Sequence, residues 1–212
     1  MLDYNRILSP VVTGMKPSGI RKFFDMLGSM DDVVALTVGQ PDFVTPWHIR
    51  VSAIESLEKG KTYYTSNSGT PELRREISSY MNRRYNVAYS PDDEIIVTVG
   101  GSEAIDLTVR ALVCPGDEVI IPQPSYVSYE PCAILAGATP VIINLKAENE
   151  FRLTAKELED AITEKTKILI LPFPNNPTGA IMEKSDKIVF LKAGKVLLTD
   201  ETKNIMSRYG HL

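Results

Sequence analysis

The sequence predicts an α/β fold with a mostly parallel sheet. Three observations carry that expectation. Apolar, β-rich runs alternate with helical segments between Asp93 and Leu171. Each run ends in a loop of Gly, Pro, Ser or Asn, which punctuates the chain. The segments between successive runs are long enough for crossover helices, which parallel strands require, rather than hairpin turns.

The elements follow in chain order. The first stretch, to about Asp32, reads as an arm with one helix near Ile20–Leu27. Val33–Val38 is a short β-rich run broken by Gly39-Gln40-Pro41-Asp42. Thr45-Pro46 reads as an N-cap followed by proline at the first helical position, with the helix running to about Lys59 and stopping at Gly60. Thr70-Pro71 repeats the signal, and Leu73, Ile77 and Tyr80 have helical spacing. Glu94–Val99 is a buried strand by composition, Gly100-Gly101-Ser102 a turn, Glu103–Leu112 a helix and Glu118–Ile121 the next strand, a βαβ unit. Tyr126–Ala136 is expected as a helix and Pro140–Leu145 as a strand. Thr154–Ile162 is a helix opened by a capping box of Thr154 and Glu157. Lys167–Leu171 is a strand that runs into Pro172-Phe173-Pro174-Asn175-Asn176-Pro177-Thr178-Gly179. The rhythm then stops. Lys187–Leu191 and Lys195–Leu198 flank Lys192-Ala193-Gly194 as a hairpin, and Asp200–Tyr209 reads as a short amphipathic helix stopped by Gly210.

Composition bounds the function. The 212 residues amount to about one and a half domains. Hydrophobic content of 43% with 24% charge is that of a globular chain. A net charge of −4 disfavours nucleic acid and anionic lipid as partners. The two cysteines, Cys114 and Cys132, form no C-x-x-C, so a reducing, cytoplasmic compartment is expected and neither a disulfide framework nor a zinc site is. Only His48 and His211 are available for histidine chemistry. No apolar run approaches a membrane span, and the N-terminus has no signal-peptide core.

Three loops could carry chemistry. Gly100-Gly101-Ser102-Glu103-Ala104 opens a helix after a strand, where free amide groups, the helix dipole and a hydroxyl can receive an anion. It is neither a P-loop nor a dinucleotide fingerprint. Taken alone, a Gly-Gly turn after a strand is more often only a turn. Pro124-Ser125-Tyr126 puts an aromatic at a strand end, able to stack on a flat ring or to pack the loop on the core. Asn175-Asn176-Pro177-Thr178-Gly179 projects a donor and an acceptor into the strand-end crevice, or simply reverses the chain. The bonds before Pro174 and Pro177 are candidates for the cis form.

These loops, together with Gly39-Gln40-Pro41-Asp42-Phe43, Tyr64-Thr65 and Gly69-Thr70-Pro71-Glu72-Leu73-Arg74, resemble in order and spacing the class I/II aminotransferases. These are fold-type I pyridoxal 5'-phosphate (PLP) enzymes, and the likeness covers about residues 5–184. It implies the front of a PLP-transferase-like large domain. Gly101, Ser102 and Glu103 would offer amide groups, and Ser102 its hydroxyl, to the cofactor phosphate. Tyr126 would stack on the pyridine. Asn176 would meet the phenolic oxygen and help hold the substrate carboxylate, with Gly39 nearby. Tyr64 would reach the phosphate of a neighbouring subunit in a homodimer. Pro17-Ser18-Gly19-Ile20 resembles the family's substrate-side segment. The substrates implied are an amino acid and a 2-oxo acid, with no metal.

The sequence departs from the family after Gly179. No Schiff-base lysine is identifiable. Leu197-Leu198-Thr199-Asp200-Glu201 resembles the strand that supplies the acid for the ring nitrogen, which would make Asp200 that acid, but at too short a spacing. Ser185–Val196 with Tyr209-Gly210 is similar to the end of an ABC-transporter ATPase domain. The organisation expected is therefore an arm over 1–44, an incomplete PLP-binding domain over 45–184 and an unrelated tail over 185–212. Two functional readings follow. One is an aminotransferase by ancestry, truncated and inactive as this chain. The other is a catalytically dead α/β fragment acting as partner of a full-length subunit. A sheet of about four strands should leave an apolar patch and an unpaired edge.

Overall fold

The computed structural model describes residues 4–15, 39, 41–182, 187–192 and 195–201. The expected helix near Ile20–Leu27, the run Val33–Val38 and the segment Pro17–Ile20 lie outside the described residues. The chain divides into two compact units, one of residues 1–15 and 71–212, the other of residues 16–70.

The smaller unit contributes one described helix, which we number α3 (Trp47–Glu58), after α1 (Tyr4–Ile7) and α2 (Pro10–Gly14). Pro46 itself is the N-cap, one residue later than expected, and it makes no side-chain cap hydrogen bond. The helix ends as the sequence implies: Lys59 is the C-cap and Gly60 takes φ +66°, a left-handed conformation that suits glycine.

The larger unit holds the sheet. Its elements are α4 (Pro71–Tyr85), α5 (Gly101–Leu112), β1 (Glu118–Gln123), α6 (Tyr129–Leu135), β2 (Thr139–Asn144), α7 (Ala155–Ala161) and β3 (Thr166–Leu169). The three strands are parallel in the order β2-β1-β3, with Glu118 opposite both Thr139 and Thr166. The central strand β1 is the most buried, and its side chains alternate between two cores. Val119 and Ile121 pack with Val109, Val113 and Ala133 on the side of α5 and α6. Ile120 packs with Ile143, Leu145, Leu153 and Leu158 on the side of α7. A strand covered on both faces must read as a continuous apolar run, and this one does.

The helices obey the same logic. Ile105, Val109 and Val113 recur every fourth residue and turn one stripe of α5 to the core. Arg110 closes on Asp106 at 2.8 Å and donates to Leu135 O at 3.2 Å, joining α5 to the end of α6. The capping box of α7 forms as expected: Thr154 Oγ1 accepts from Glu157 N at 3.3 Å and Glu157 Oε2 from Thr154 N at 3.0 Å.

Several expectations are corrected. Glu94–Val99 forms no strand. It runs into Gly100 without a ladder partner among the described residues; Ile95 is buried, but Ile96 and Val99 stay open at 69% and 93% exposure. A strand is a pairing, and composition alone cannot supply the neighbour. Among the described residues the parallel sheet consequently has three strands, not about four, and the first βαβ unit does not form. The helix expected from Tyr126 starts at Tyr129, because Tyr126-Val127-Ser128 is spent on a turn in which Tyr129 N donates to Tyr126 O at 3.3 Å. In α4 Leu73 and Tyr80 of the expected stripe are exposed and Ile77 is half-buried, while the buried side chain is Arg74. Arg74 Nη1 donates to Pro91 O and, at 3.2 Å, to Asp92 O, while Ser78 Oγ donates to Tyr89 O at 2.6 Å. Polar ties, rather than an apolar seam, hold this helix to the turn that follows it.

Past Gly179 the expected hairpin is present. The strands β4 (Lys187–Lys192) and β5 (Lys195–Glu201) pair antiparallel. Asp200 and Glu201 lie in β5 and not in a helix, and residues 202–209 of that expected helix lie outside the described residues.

Candidate functional site

The carboxyl end of β1 is the meeting point of the loops singled out in the sequence. Gly100 has φ +86° and ψ 168°, a conformation that is essentially glycine's alone. It admits the chain to α5 with no side chain capping the helix start. The amides of Gly101, Ser102 and Glu103 belong to the first turn and have no intrahelical acceptor. A Cβ added at Gly101 would meet nothing within 4 Å, so the approach to these amides is open. The Glu103 carboxylate is engaged by the Val99 amide, and Thr98 Oγ1 donates to Gly100 O at 2.9 Å, which ties the turn together.

Ser102 Oγ lies 2.8 Å from the Tyr126 hydroxyl. That contact spans 24 residues of sequence and brings the helix start to the loop after β1. The Tyr126 ring is also packed edge-on against Tyr129, with centroids 5.7 Å apart and planes at 80°. The hydrogen bond with Ser102, and a second with Ser128, hold the Tyr126 phenol below the usual tyrosine range. Burial pushes the Tyr129 phenol up, and the neighbouring Tyr126 adds to the shift. Two adjacent tyrosines are thus moved in opposite directions by their surroundings. Gln123 Nε2 donates to Glu130 Oε2 at 3.1 Å and braces the same turn.

The third loop joins through a residue that sequence reasoning passed over. Asn175 is only 4% exposed. Its Nδ2 donates to Pro124 O at 2.8 Å and to Thr178 Oγ1 at 3.0 Å, so the loop after β3 is pinned to the loop after β1. The loop closes on itself as well: Asn175 N donates to Ala180 O at 2.9 Å and Gly179 N to Asn175 O at 2.7 Å. Asn175 Oδ1 is buried without a hydrogen-bond partner among the described residues. Asn176, the residue favoured by the sequence, is exposed beside it. The peptide bonds before Pro124, Pro174 and Pro177 are all cis. The signal for Asn175 was present in the sequence. An asparagine beside a strand end, with a threonine three residues on, can satisfy its amide within its own turn. Whether it would be the buried member of the Asn-Asn pair is not a local property.

The structure therefore brings Gly101, Ser102, Glu103 and Tyr126 together directly, and Asn176 through its neighbour. Gly39 and Tyr64 belong to the other compact unit. Both are exposed, Tyr64 fully. Asp200 stands in β5 opposite Ile188. Among the described residues no group of three or more His, Cys, Asp or Glu side chains could hold a metal ion. Among the described residues no helix is long and apolar enough to cross a membrane. Chemically, the arrangement offers an open helix start and a hydroxyl for an anion, an aromatic face beside them, and amide groups from a third loop.

Comparison with known proteins bears on the same residues. Residues 31–202 match the family described as aminotransferase class I and II. The chain is 50% identical over 179 residues to "Putative aminotransferase YugH" of Bacillus subtilis, covering 84% of this chain and 46% of that protein. It is 46% identical over 172 residues to an aspartate aminotransferase of Pyrococcus abyssi, covering 81% of this chain and 44% of the relative. Among solved structures, the aspartate aminotransferase of Rhizobium meliloti superposes with a TM-score of 0.77 at 36% identity, over 84% of this chain and 46% of that one. That of Thermus thermophilus with maleate gives 0.77 at 39% identity, over 84% and 47%. The chain spans about half the length of the curated relatives it matches.

Proposed function

Since the chain belongs to the class I and II aminotransferase family, we propose that it carries the phosphate-and-ring cradle of a PLP-dependent aminotransferase. The reaction class is transfer of an amino group from an amino acid to a 2-oxo acid. One observation carries the reading: the contacts Ser102–Tyr126 and Asn175–Pro124 gather three loops at one end of the sheet. The residues present fit the cofactor. An uncapped helix start with open space at Gly101 suits a phosphate, and the Tyr126 ring suits a flat pyridine. When bound, PLP supplies an electron sink for the substrate's α-carbon.

In this reading each residue has a bounded task. Gly101, Ser102 and Glu103 hold the phosphate through their amide groups, and Ser102 also through its hydroxyl. Tyr126 lies against the ring. Asn176 would donate to the ring's phenolic oxygen and help hold the substrate carboxylate. Asn175 keeps Asn176 at a set distance from Tyr126. Tyr64, fully exposed, reaches toward the phosphate of a second copy in a homodimer. We place the chain in a reducing cytoplasm, a reading that rests on a sequence whose two cysteines form no C-x-x-C.

Two readings of the tail compete. In one, Asp200 is the acid that faces the ring nitrogen, and the family match through residue 202 supports it. In the other, residues 185–212 have the separate, transporter-like origin that Ser185–Val196 suggests. Genomic sequence around codons 180–190, together with the corresponding frame in close relatives, distinguishes them. With no lysine assigned to the cofactor aldehyde, we propose that this chain retains PLP without a covalent bond and does not turn over amino acids alone. Equilibrium dialysis with PLP, followed by borohydride reduction and mass spectrometry, tests this. Saturable retention with no modified lysine is the expected result. A stoichiometric pyridoxyl group on Lys184, Lys187, Lys192 or Lys195 would make the chain itself the enzyme. Absence of retention removes the cradle reading.

A further inference from the structure

We propose that the Tyr126 hydroxyl is a positioning group for the Ser102 hydroxyl, turning the Ser102 proton toward an anion held at the start of α5. The proposal rests on the cofactor reading above and adds to it a role separate from ring stacking. Ser102 Oγ and the Tyr126 oxygen are 2.8 Å apart. Two hydroxyls in contact carry two protons and use one between them. The contact allows either hydroxyl to donate; the phenol is the stronger acid, and in the proposed arrangement it donates and the serine accepts. The serine's own proton is left for a third group.

The place of Ser102 makes that proton useful. It is the second residue of α5, inside the helix rather than at its cap, and no side chain occupies the cap. An anion that meets the first-turn amides meets the Ser102 hydroxyl in the same step. A serine alone at an exposed helix start samples several rotamers. Here one is selected by a partner that is itself fixed. The Tyr126 ring is edge-packed on Tyr129, and the carbonyl of Pro124 in the same loop is pinned by Asn175. Hydrogen bonds in series polarise one another, so the phenol also makes the serine a better donor.

Ring and hydroxyl are separable by substitution, because Tyr126→Phe keeps the aromatic face. The test measures binding of pyridoxine 5'-phosphate and of pyridoxine, neither of which has an aldehyde to react with lysines, by titration calorimetry. The proteins are the full chain, Tyr126→Phe, Ser102→Ala and the double variant. Tyr126→Phe should weaken pyridoxine 5'-phosphate about threefold to tenfold, the worth of one neutral hydrogen bond. Pyridoxine binding should stay unchanged. In the Ser102→Ala background the same substitution should have no effect. An equal loss for both ligands would overturn the proposal, since the hydroxyl would then act through the ring or the loop. An equal loss with and without Ser102 would overturn it too, since the phenol would then contact the anion directly. Tight wild-type binding that Tyr126→Phe leaves untouched overturns this inference alone. A wild-type chain that binds neither ligand overturns the cofactor reading and this inference with it.

Discussion

At the scale of residues, the site is organised by two side chains whose hydrogen bonds cross long stretches of sequence. Tyr126 titrates low because Ser102, and secondarily Ser128, stabilise its ionised form. Removing the first of these contacts takes away the largest cause, so in Ser102→Ala the Tyr126 phenol should ionise at higher pH than in the wild type. Tyrosinate absorbance followed against pH, with Tyr126→Phe to identify the component, gives the direction; a downward or absent shift would contradict it. Asn175 is the second such residue. Asn175→Ala removes the donor to Pro124 O and Thr178 Oγ1 in a buried place and leaves that carbonyl without its partner. The expected cost is about 1–3 kcal/mol, read from urea unfolding. A cost near zero would mean that the loops are not pinned there. The family resemblance pointed to Asn176. Burial chose Asn175 for the structural task, and burial is decided by the strand ends around it.

At the scale of elements, local chemistry was a good guide wherever an element is stabilised by its own residues. The capping box at Thr154 and Glu157 is the clearest instance, and it formed as the sequence implied. Thr154→Ala should destabilise α7 and its packing by about 1 kcal/mol, measured as a lower urea midpoint. The Lys59-Gly60 helix end and the β4–β5 hairpin were legible for the same reason. Glu94–Val99 was not. Its apolar run has the composition of a strand, but a strand needs a neighbour, and nothing in its own residues supplies one. Likewise α4 has apolar residues at helical spacing that stay exposed, while Arg74 and Ser78 attach it to the turn at 89–92. Spacing reports which residues share a helix face. It does not report whether anything covers that face.

At the scale of the whole molecule, exposed apolar surface stands out. In the unit of residues 16–70, Phe43, Trp47, Leu57 and Tyr64 are each more than half exposed. In the other unit Ile96 and Val99 are open, and the outer edges of β2 and β3 have no partner among the described residues. Surfaces and edges of this kind favour association. The chain should therefore self-associate in a concentration-dependent way on gel filtration with light scattering. A sharp monomer peak across a wide concentration range, together with cooperative unfolding, would contradict this.

The sequence by itself determined the α/β class, the punctuation of the helices, the three loops and the family, because these rest on short-range chemistry and on motif order. Only the tertiary structure decided which apolar runs became strands, which asparagine was buried, and that a serine and a tyrosine 24 positions apart share a hydrogen bond. Those outcomes depend on neighbours distant in the chain. Solvent exclusion and pairing act on what lies adjacent in space, and a residue's own identity does not specify that.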